Sequence, residues 1–446
     1  MKRNRHRGLW MGLSIIMVLV VLVTGCTASD EGEQPIELRL YMPGANPDAP
    51  MWADYSQYFK DVGAKYTELH PNRTIAIESF PATFPIENMA RKLKAENSPD
   101  IVFPVNSALI PSWLKDSILL DLNPLAKADG VDKSDFHQPI LKLTESGGKW
   151  GAIPNVVLPL GVLYNKSLFD KANLPYPQGK WTWDEYLSVA LKLSEANPGK
   201  YGAVMAYNPF YLEILLAGRG ESLLSKDGAK AEGALNSPGS VQTLQWFNRY
   251  FRALKLDQIS GVSNDIATGS LFNLGSVGMK ISTSDGYTFF KKQLGDRLGV
   301  APLPGTADGR RANPLSVVGI GISAQSKHAR EAWDFLRFAT MTEHAYTSKW
   351  AEWFVLPSKS MAAATKQTQH SDLNVFIEEM NYAVESPAFA NLDFALLMNE
   401  SPFLSGFSSL LLKEDGELPV ALYQLAQKTD GLLMEKAASR EASSSK

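Results

Sequence analysis

The residues of this chain that could carry chemistry are few, and their spacing does not suit catalysis. The 446 residues include one cysteine and six histidines, and no two histidines have metal-ligand spacing. No HExxH or GxSxG motif occurs. Glu378 and Glu379 are adjacent on a predicted helix, so they cannot face each other as an acid and a base, and we interpret them as a solvated face. The sequence therefore predicts no catalytic residue, no metal site and no cofactor.

Cys26 is the one side chain with an assignable reaction. It follows a basic head at residues 2–7 and an apolar run from Leu9 to Val23, a pattern typical of a secretory signal. Val23-Thr24-Gly25-Cys26 resembles a bacterial lipobox, whose cysteine is acylated and becomes the new N-terminus. The alternative is an uncleaved membrane anchor with an incidental cysteine. We expect residues 1–25 to be a signal peptide and Cys26 to anchor the chain, through acyl chains, on the outer face of the cell membrane.

The composition is that of an ordinary globular protein, with 45% hydrophobic and 20% charged residues. One cysteine permits no intramolecular disulfide and no zinc-thiolate cluster, so the hydrophobic core must hold the fold. The length suffices for two domains. The formal net charge is −3, and the leader carries four of the basic residues, so the mature chain is more acidic. This balance disfavours nucleic acid as a partner and suggests a neutral or weakly charged ligand.

Alternating strands and helices must position any site. Apolar and polar residues alternate along Ile36–Met42, and Thr74–Glu78 and Asp100–Phe103 are further predicted strands with helical patterns between them. This rhythm predicts an α/β fold with a mainly parallel sheet, in which ligands bind at the carboxyl ends of the strands. Residues 26–35 read as a flexible tether, and residues 439–446 as a polar tail.

One helix has a distinct start signal. Thr182 and Glu185 have the spacing of a capping box, in which the hydroxyl of the first residue and the carboxylate of the second each accept a backbone N–H. The pattern predicts a helix over Trp183–Glu195.

Four motifs follow one another along the chain after the leader. The most specific reads GKWGAIP, GVLYNKSLF and WTWDE, and it is similar to the signature GK-x-YGIP, YYNK-x-LF and TWDE. Together the motifs resemble the family-1 extracellular solute-binding proteins, the carbohydrate ABC-transporter group that includes maltose-binding protein. The first motif is Ser98–Phe103 with Ala108–Leu122. The second consists of Gly148–Pro154, Gly161–Phe169, Ala172–Leu174 and Trp181–Glu185. The third is Gly275–Met279 with Leu298–Pro304, and the fourth is Val318–Ala324 with Ala329–Leu336.

The resemblance implies a two-lobe fold of the periplasmic-binding-protein type (type II). Each lobe is discontinuous, and hinge crossovers are expected near Val157–Leu160, Ser316–Val318 and Leu356–Ser360. The ligand binds in the cleft between the lobes, and hinge bending closes it. The expected lobes are residues 36–157 with 318–357, and residues 160–315 with 358–438.

The implied function is capture of a mono- or oligosaccharide by an extracellular, lipid-anchored substrate-binding protein of an ABC importer. The expected partners are the carbohydrate, the permease subunits and the membrane, with no nucleic acid, and the protein is expected to be a monomer. The alternative is a surface lipoprotein enzyme acting on glycans, because carboxylate pairs assemble only in three dimensions.

A sugar site needs planar polar side chains and aromatic platforms. Several such residues follow predicted strands or precede the third crossover, in keeping with the positions of ligand contacts in the family. Each has a structural alternative, since the aromatic residues could be core and the Asn and Asp residues could cap helices or turns. The expected ligand-binding residues are Asn46, Asp48, Asn106, Ser107, Tyr207, Asn208, Phe210, Asp285, Tyr287, Trp350 and Trp353.

Two departures from the family pattern prevent transfer of any relative's substrate. Val157, Leu158 and Pro159 are apolar where many relatives carry a polar residue, and Tyr287 stands near the position of a usual tryptophan. Three arginines could admit an anion, although solvated surface positions suit them better: Arg219, Arg310 and Arg311.

Overall fold

The computed structural model describes residues 34–44, 51–81, 86–315 and 317–444. The predictions for the signal peptide, for Cys26 and for Asn46 and Asp48 concern positions outside these residues. Within the described part of the chain, no helix has the length and apolar character needed to cross a membrane.

The strands form two main sheets and one short hairpin. The first sheet has the order β2-β1-β3-β11-β6, and the second has the order β10-β7-β9-β8. The strands are β1 (Ile36–Pro43), β2 (Arg73–Phe80), β3 (Ile101–Asn106), β4 (Glu145–Ser146), β5 (Lys149–Trp150), β6 (Ile153–Val157), β7 (Leu160–Asn165), β8 (Tyr201–Val204), β9 (Val277–Thr283), β10 (Leu298–Ala301) and β11 (Val317–Ile322).

Helices cover both sheets, and they are α1 (Met51–Leu69), α2 (Ile86–Lys94), α3 (Ile110–Lys115), α4 (Asn123–Ala128), α5 (Gln138–Lys142), α6 (Lys166–Lys171), α7 (Trp183–Ala196), α8 (Pro209–Ala217), α9 (Pro238–Ala253), α10 (Asp265–Asn273), α11 (Ser284–Leu294), α12 (Ala329–Met341), α13 (Ala345–Ala351), α14 (Lys359–Ala364), α15 (Ser371–Glu379), α16 (Pro387–Ala390), α17 (Leu392–Leu397), α18 (Ser401–Ser408) and α19 (Leu418–Ser444). The last helix extends beyond residue 438, where the predicted second lobe ends.

Each sheet contains one antiparallel strand among otherwise parallel ones. In the first sheet β11 is antiparallel to its neighbours β3 and β6, and in the second β7 is antiparallel to β9 and β10. Every residue of β6 and β7 is buried, as expected for strands covered on both faces. We call the first sheet and the helices packed on it lobe 1, and the second sheet and its helices lobe 2.

The chain passes from one sheet to the other at short segments. It leaves β6 at Val157 and enters β7 at Leu160, and it returns between Ala301 of β10 and Val317 of β11. A backbone bridge between Val157 and Val355 brings a third segment beside the first passage. We propose lobe boundaries at residues 36–157 with 318–357 and at residues 160–315 with 358–438, which are consistent with these three passages.

The predicted capping box at the start of α7 is confirmed. The Glu185 N–H donates to Thr182 Oγ1 at 3.2 Å, and the Thr182 N–H donates to a Glu185 carboxylate oxygen at 2.6 Å. Farther along the helix, Gly202 of β8 permits close contact, because a Cβ there would lie 1.6 Å from the Ala190 carbonyl oxygen. The capping box stabilises the start of α7, and the close approach at Gly202 packs the helix directly against the second sheet.

Candidate functional site

The first two chain passages between the lobes are joined by one asparagine side chain. Asn313 Nδ2 donates to the Leu160 carbonyl at 2.8 Å, and the Leu160 N–H donates back to Asn313 Oδ1 at 3.1 Å. The Ser284 N–H donates to the Pro159 carbonyl at 3.1 Å, which attaches the start of α11 to the same place. Both passages and the helix that follows β9 therefore meet at one joint.

A buried ion pair lies beside this joint. Arg311 donates to the Glu379 carboxylate, which also accepts from Asn313 Nδ2 at 3.1 Å and from the Leu303 N–H at 3.3 Å. The two side chains are 10% and 2% exposed, and the Arg311 guanidinium lies 4.1 Å from the centre of the Tyr382 ring. The predictions that Glu379 belongs to a solvated face and that Arg311 is solvated are therefore wrong. Long-range pairing with several hydrogen bonds is what makes such buried charges tolerable.

The joint should make stability depend on pH. Burial raises the pKa of Glu379 from 4.5 to about 7, although Arg311 and the hydrogen bonds from Asn313 and Leu303 oppose the shift. The folded state then holds this proton more tightly than the unfolded chain, so the contribution to stability is full below pH 4.5 and is lost as the pH rises through 7.

Urea unfolding of the wild type and of Glu379→Gln across this range checks the expectation. The wild-type free energy of unfolding, taken relative to the variant, should fall between about pH 4.5 and 7 and be constant on either side. Parallel curves for the two proteins would contradict it.

An aromatic cluster surrounds Tyr55 in lobe 1. The Tyr55 ring lies 5.4 Å from Trp52, 5.2 Å from Trp350, 6.2 Å from Trp353 and 5.6 Å from Phe354, measured between ring centres. Tyr55, Trp350 and Phe354 are buried, whereas Trp52 and Trp353 keep part of their surface exposed. The two partly exposed rings are the ones that could stack on a ligand.

Asp285, in the first turn of α11, faces this cluster from lobe 2. Burial raises the pKa of Tyr55, and the negative charge of Asp285 raises it further. A cavity of about 600 Å³ lies between α11 and the segment after α13, with Ser284 and Tyr287 on one side and Trp353 and Phe354 on the other. This volume is typical of small-molecule sites.

A second group of predicted residues lies around α16. The Phe210 ring is 37% exposed and stacks on Phe389 of α16 at 5.3 Å, and Asn208 caps α8 by accepting from the Tyr211 N–H. In lobe 1, α16 contacts the short 3-10 turn at residues 107–109. The segment containing α16 therefore touches both lobes.

Asn106 and Ser107 stand at the lobe 1 end of this contact. Asn106 Oδ1 accepts from the Ala108 N–H at 2.9 Å and so caps the turn, and both side chains are partly exposed. A capping bond leaves the Asn106 amide nitrogen available to a ligand.

Tyr207 and Trp350, both predicted as ligand contacts, lie in the core. Tyr207 has no exposed surface, its hydroxyl donates to Asn248 Oδ1 at 2.7 Å, and its ring stacks on Phe247. Trp350 is 3% exposed, and its indole donates to the Asn155 carbonyl at 3.4 Å. A ring without exposed surface cannot stack on a solute in this arrangement, so we do not include these two residues in the proposed site.

Sequence reasoning missed four residues near the cleft. Trp52 and Tyr55 were not among the expected ligand-binding residues, although aromatic residues three apart just after β1 could have signalled a platform. Asp265 and Lys280 gave no signal, because a carboxylate after Asn264 suits a helix start and a lone lysine in a strand suggests an exposed face. Tyr287 was predicted, but it is 4% exposed and its hydroxyl donates to Asp372 at 2.9 Å.

Comparison with known sequences gives relatives matched over nearly the whole chain or over about two thirds of it. The arabinooligosaccharide-binding protein of Bacillus subtilis is 24% identical over 439 residues, which cover 93% of this chain and 98% of the relative. The arabinooligosaccharide-binding protein of Halalkalibacterium halodurans is 22% identical over 308 residues, 66% of each chain.

Solved structures share the fold. The sugar-binding protein MalE of Xanthomonas citri superposes with a TM-score of 0.71 at 17% identity, covering 91% of this chain and 99% of its own. The cyclic alpha-maltosyl-1,6-maltose binding protein of Arthrobacter globiformis gives 0.69 at 18% identity, with 90% and 99% coverage. This likeness confirms the predicted two-lobe α/β fold with discontinuous lobes and a cleft between them.

The family model for bacterial extracellular solute-binding proteins matches residues 52–345. That span includes the aromatic residues at the start of α1, all of the second sheet and the crossover strand β11. Since it covers well over half of the sequence, the chain belongs to the bacterial extracellular solute-binding protein family.

Proposed function

We propose that this protein captures a carbohydrate between its lobes and delivers it to the permease of an ABC importer. The observation that carries the proposal is that the partly exposed Trp353 ring lines the cavity between the lobes, while the Asp285 carboxylate of lobe 2 lies close enough for its charge to act on Tyr55 of the same aromatic cluster. Sugar rings offer apolar faces to aromatic rings and hydroxyl groups to carboxylates, so the two sides of the cleft match the two kinds of sugar surface.

The relatives support a carbohydrate ligand. Those compared above are described as binding proteins for arabinooligosaccharides, for a sugar or for cyclic alpha-maltosyl-1,6-maltose, which favours a mono- or oligosaccharide for this chain as well. They are solute-binding proteins and not enzymes, which supports capture without chemical change. Proposed contacts are Asn106, Ser107, Asn208, Phe210, Asp285 and Trp353. Tyr287 is left out because its ring is buried, and Asn46 and Asp48 remain predictions outside the described residues.

Closure of the lobes would bury the solute. The joint at Asn313 and Leu160 connects the passages between lobes, and hinge bending there would bring Trp353 and Asp285 onto opposite faces of the ligand. A ligand favours the closed state only by the extent to which it binds that state more tightly. Contacts made by both lobes at once supply this difference.

The proposal includes an anchor on the outer face of the membrane. It is supported by the leader at residues 1–25 and by the lipobox-like Val23–Cys26, and the acyl chains on Cys26 would hold the otherwise water-exposed lobes beside the permease. We expect detergent to release the protein from intact cells and high salt to leave it attached. Release by salt alone would contradict the anchor.

A thermal-shift screen tests the function directly. The panel contains arabinose, arabinotriose, maltose and maltotetraose, with an amino acid mixture as the control. A sugar at 100 times its Kd should add about 2.7 kcal/mol of stability and change the tryptophan fluorescence. Recovery of the sugar unchanged separates capture from glycan cleavage. No stabilisation by any sugar, together with a shift caused by the amino acids, would overturn the carbohydrate assignment.

A further inference from the structure

A second cavity, of about 410 Å³, is lined by residues of lobe 2. Three segments of lobe 2 line it: one face of α10 along its whole length, the end of β9 and the first two turns of α11. Asp285 belongs to this lining, and its negative charge acts on Tyr55 of lobe 1, so this end of the cavity lies toward the aromatic cluster. The lining residues used below are Asp265, Lys280, Ser282, Asp285 and Phe289.

A buried lysine lies beneath this cavity. The Lys280 side chain is 2% exposed, and its Nζ donates to Asp265 Oδ1 at 2.7 Å and to the Tyr211 hydroxyl oxygen at 3.0 Å. The Tyr211 hydroxyl donates to the same Asp265 oxygen at 2.6 Å. Burying an ammonium group carries a desolvation penalty of several kcal/mol. Apolar side chains could join α10 to β9 without this penalty, so the network suggests a role beyond packing.

The network holds one carboxylate in a fixed orientation. Asp265 Oδ1 is held by Lys280 and Tyr211, while the side chain as a whole is 57% exposed. Among the described residues, no group donates a hydrogen bond to Oδ2. Burial would raise the pKa of this carboxyl, but the charge of Lys280 and the hydrogen bonds outweigh it and keep the pKa below the ordinary value. Asp265 is therefore an ionised acceptor with one oxygen free.

The charges of the cavity indicate what can bind there. Lys280 neutralises Asp265, and Asp285 adds an unbalanced negative charge. The lysines Lys291 and Lys292 line the neighbouring interlobe cavity and not this one. A group bearing its own negative charge would be repelled, whereas hydroxyl groups would find two carboxylates to which they can donate.

We propose that Asp265 contacts the solute directly, its free Oδ2 accepting hydrogen bonds from the hydroxyl groups of an uncharged sugar unit, while Lys280 acts as a positioning residue. The proposal rests on the proposed function and names the chemistry of one part of the ligand. A carboxylate already fixed in place loses little freedom on binding, which favours affinity.

Calorimetric titration of Asp265→Asn tests the inference. The probe is whichever sugar of the screening panel binds the wild type most tightly. Loss of hydrogen bonds to a charged group should raise Kd by about 10- to 100-fold. Asp308→Asn is the matched control, because Asp308 is also 57% exposed and paired with a basic residue, Arg310, but lies outside the cavity. Its Kd should stay within about 2-fold of the wild type, as expected for an exposed pair.

Unfolding curves of both variants separate binding from folding. An Asp265→Asn protein that is less stable but binds the sugar with wild-type Kd would show that the network serves only the fold, and would overturn the inference while leaving the proposed function intact. A wild type that binds no sugar of the panel would instead defeat the proposed function. A raised Kd in Asp265→Asn, with an unchanged Kd in Asp308→Asn, supports both the inference and the proposed function.

Discussion

Replacing Trp353 with alanine should weaken carbohydrate binding by about 30-fold. The partly exposed ring of Trp353 lies in the wall of the interlobe cavity, with its centre 6.2 Å from that of Tyr55. If a sugar covers the exposed face, the substitution removes about 2 kcal/mol of apolar contact, which corresponds to this change in Kd. Calorimetric titration with the tightest-binding sugar of the panel gives the value.

Trp246→Ala supplies the control for this variant. Trp246 is also partly exposed, but it lies on α9, where its indole donates to Asp184 at 2.8 Å, away from the cleft. Its removal should leave Kd unchanged. Equal Kd values for Trp353→Ala and the wild type would exclude Trp353 from the site, and Trp353→Phe, which retains a ring, should recover part of the affinity.

Arg311→Met should lower the free energy of unfolding by about 3–5 kcal/mol at pH 8. The variant leaves the 2%-exposed carboxylate of Glu379 without its counter-charge, so this group must either stay ionised in the interior or take up a proton at a pH that disfavours it. Because Glu379 also accepts from Asn313, which holds Leu160, we expect the joint between the lobes to loosen. Urea unfolding followed by far-UV circular dichroism measures the loss.

The neighbouring arginine provides a close comparison. Arg310 pairs with Asp308, and their side chains are 59% and 57% exposed, so Arg310→Met should change stability by less than about 1 kcal/mol. In the double variant Arg311→Met with Glu379→Met, neither charge is left unpaired, so much of the loss should be recovered. If Arg311→Met and Arg310→Met lowered the free energy of unfolding equally, the buried pair would contribute no more to stability than the exposed one.

Much of the fold could be predicted from local sequence patterns. The capping box at Thr182 and Glu185 and the strands at Ile36 and Ile101 depend on residues close together in the chain, and the structure has all of them. The order of the four motifs was sufficient to indicate the family, which the match over residues 52–345 confirms. These features could be predicted from the sequence because periodicity and capping are properties of short segments.

The site was predicted less well, because its parts come from distant segments. Trp350 and Trp353 are three residues apart and chemically identical, yet one is in the core and the other lies in the cleft wall. Their difference depends on which face of the chain meets Tyr55, and neither residue type nor spacing reveals that. Asn106 is the last residue of β3 and Asn208 comes shortly after β8, and both also cap the next helix or turn.

By itself the sequence determined the family, the α/β class and the type of side chain available for a ligand. Only the tertiary structure decided that Glu379 and Arg311 are buried together across 68 positions and that Asp265 is fixed by Lys280. The physical reason is that burial of a charge depends on a partner and hydrogen bonds supplied from elsewhere in the fold, whereas the sequence around each charged residue looks the same whether that partner is present or the group is solvated.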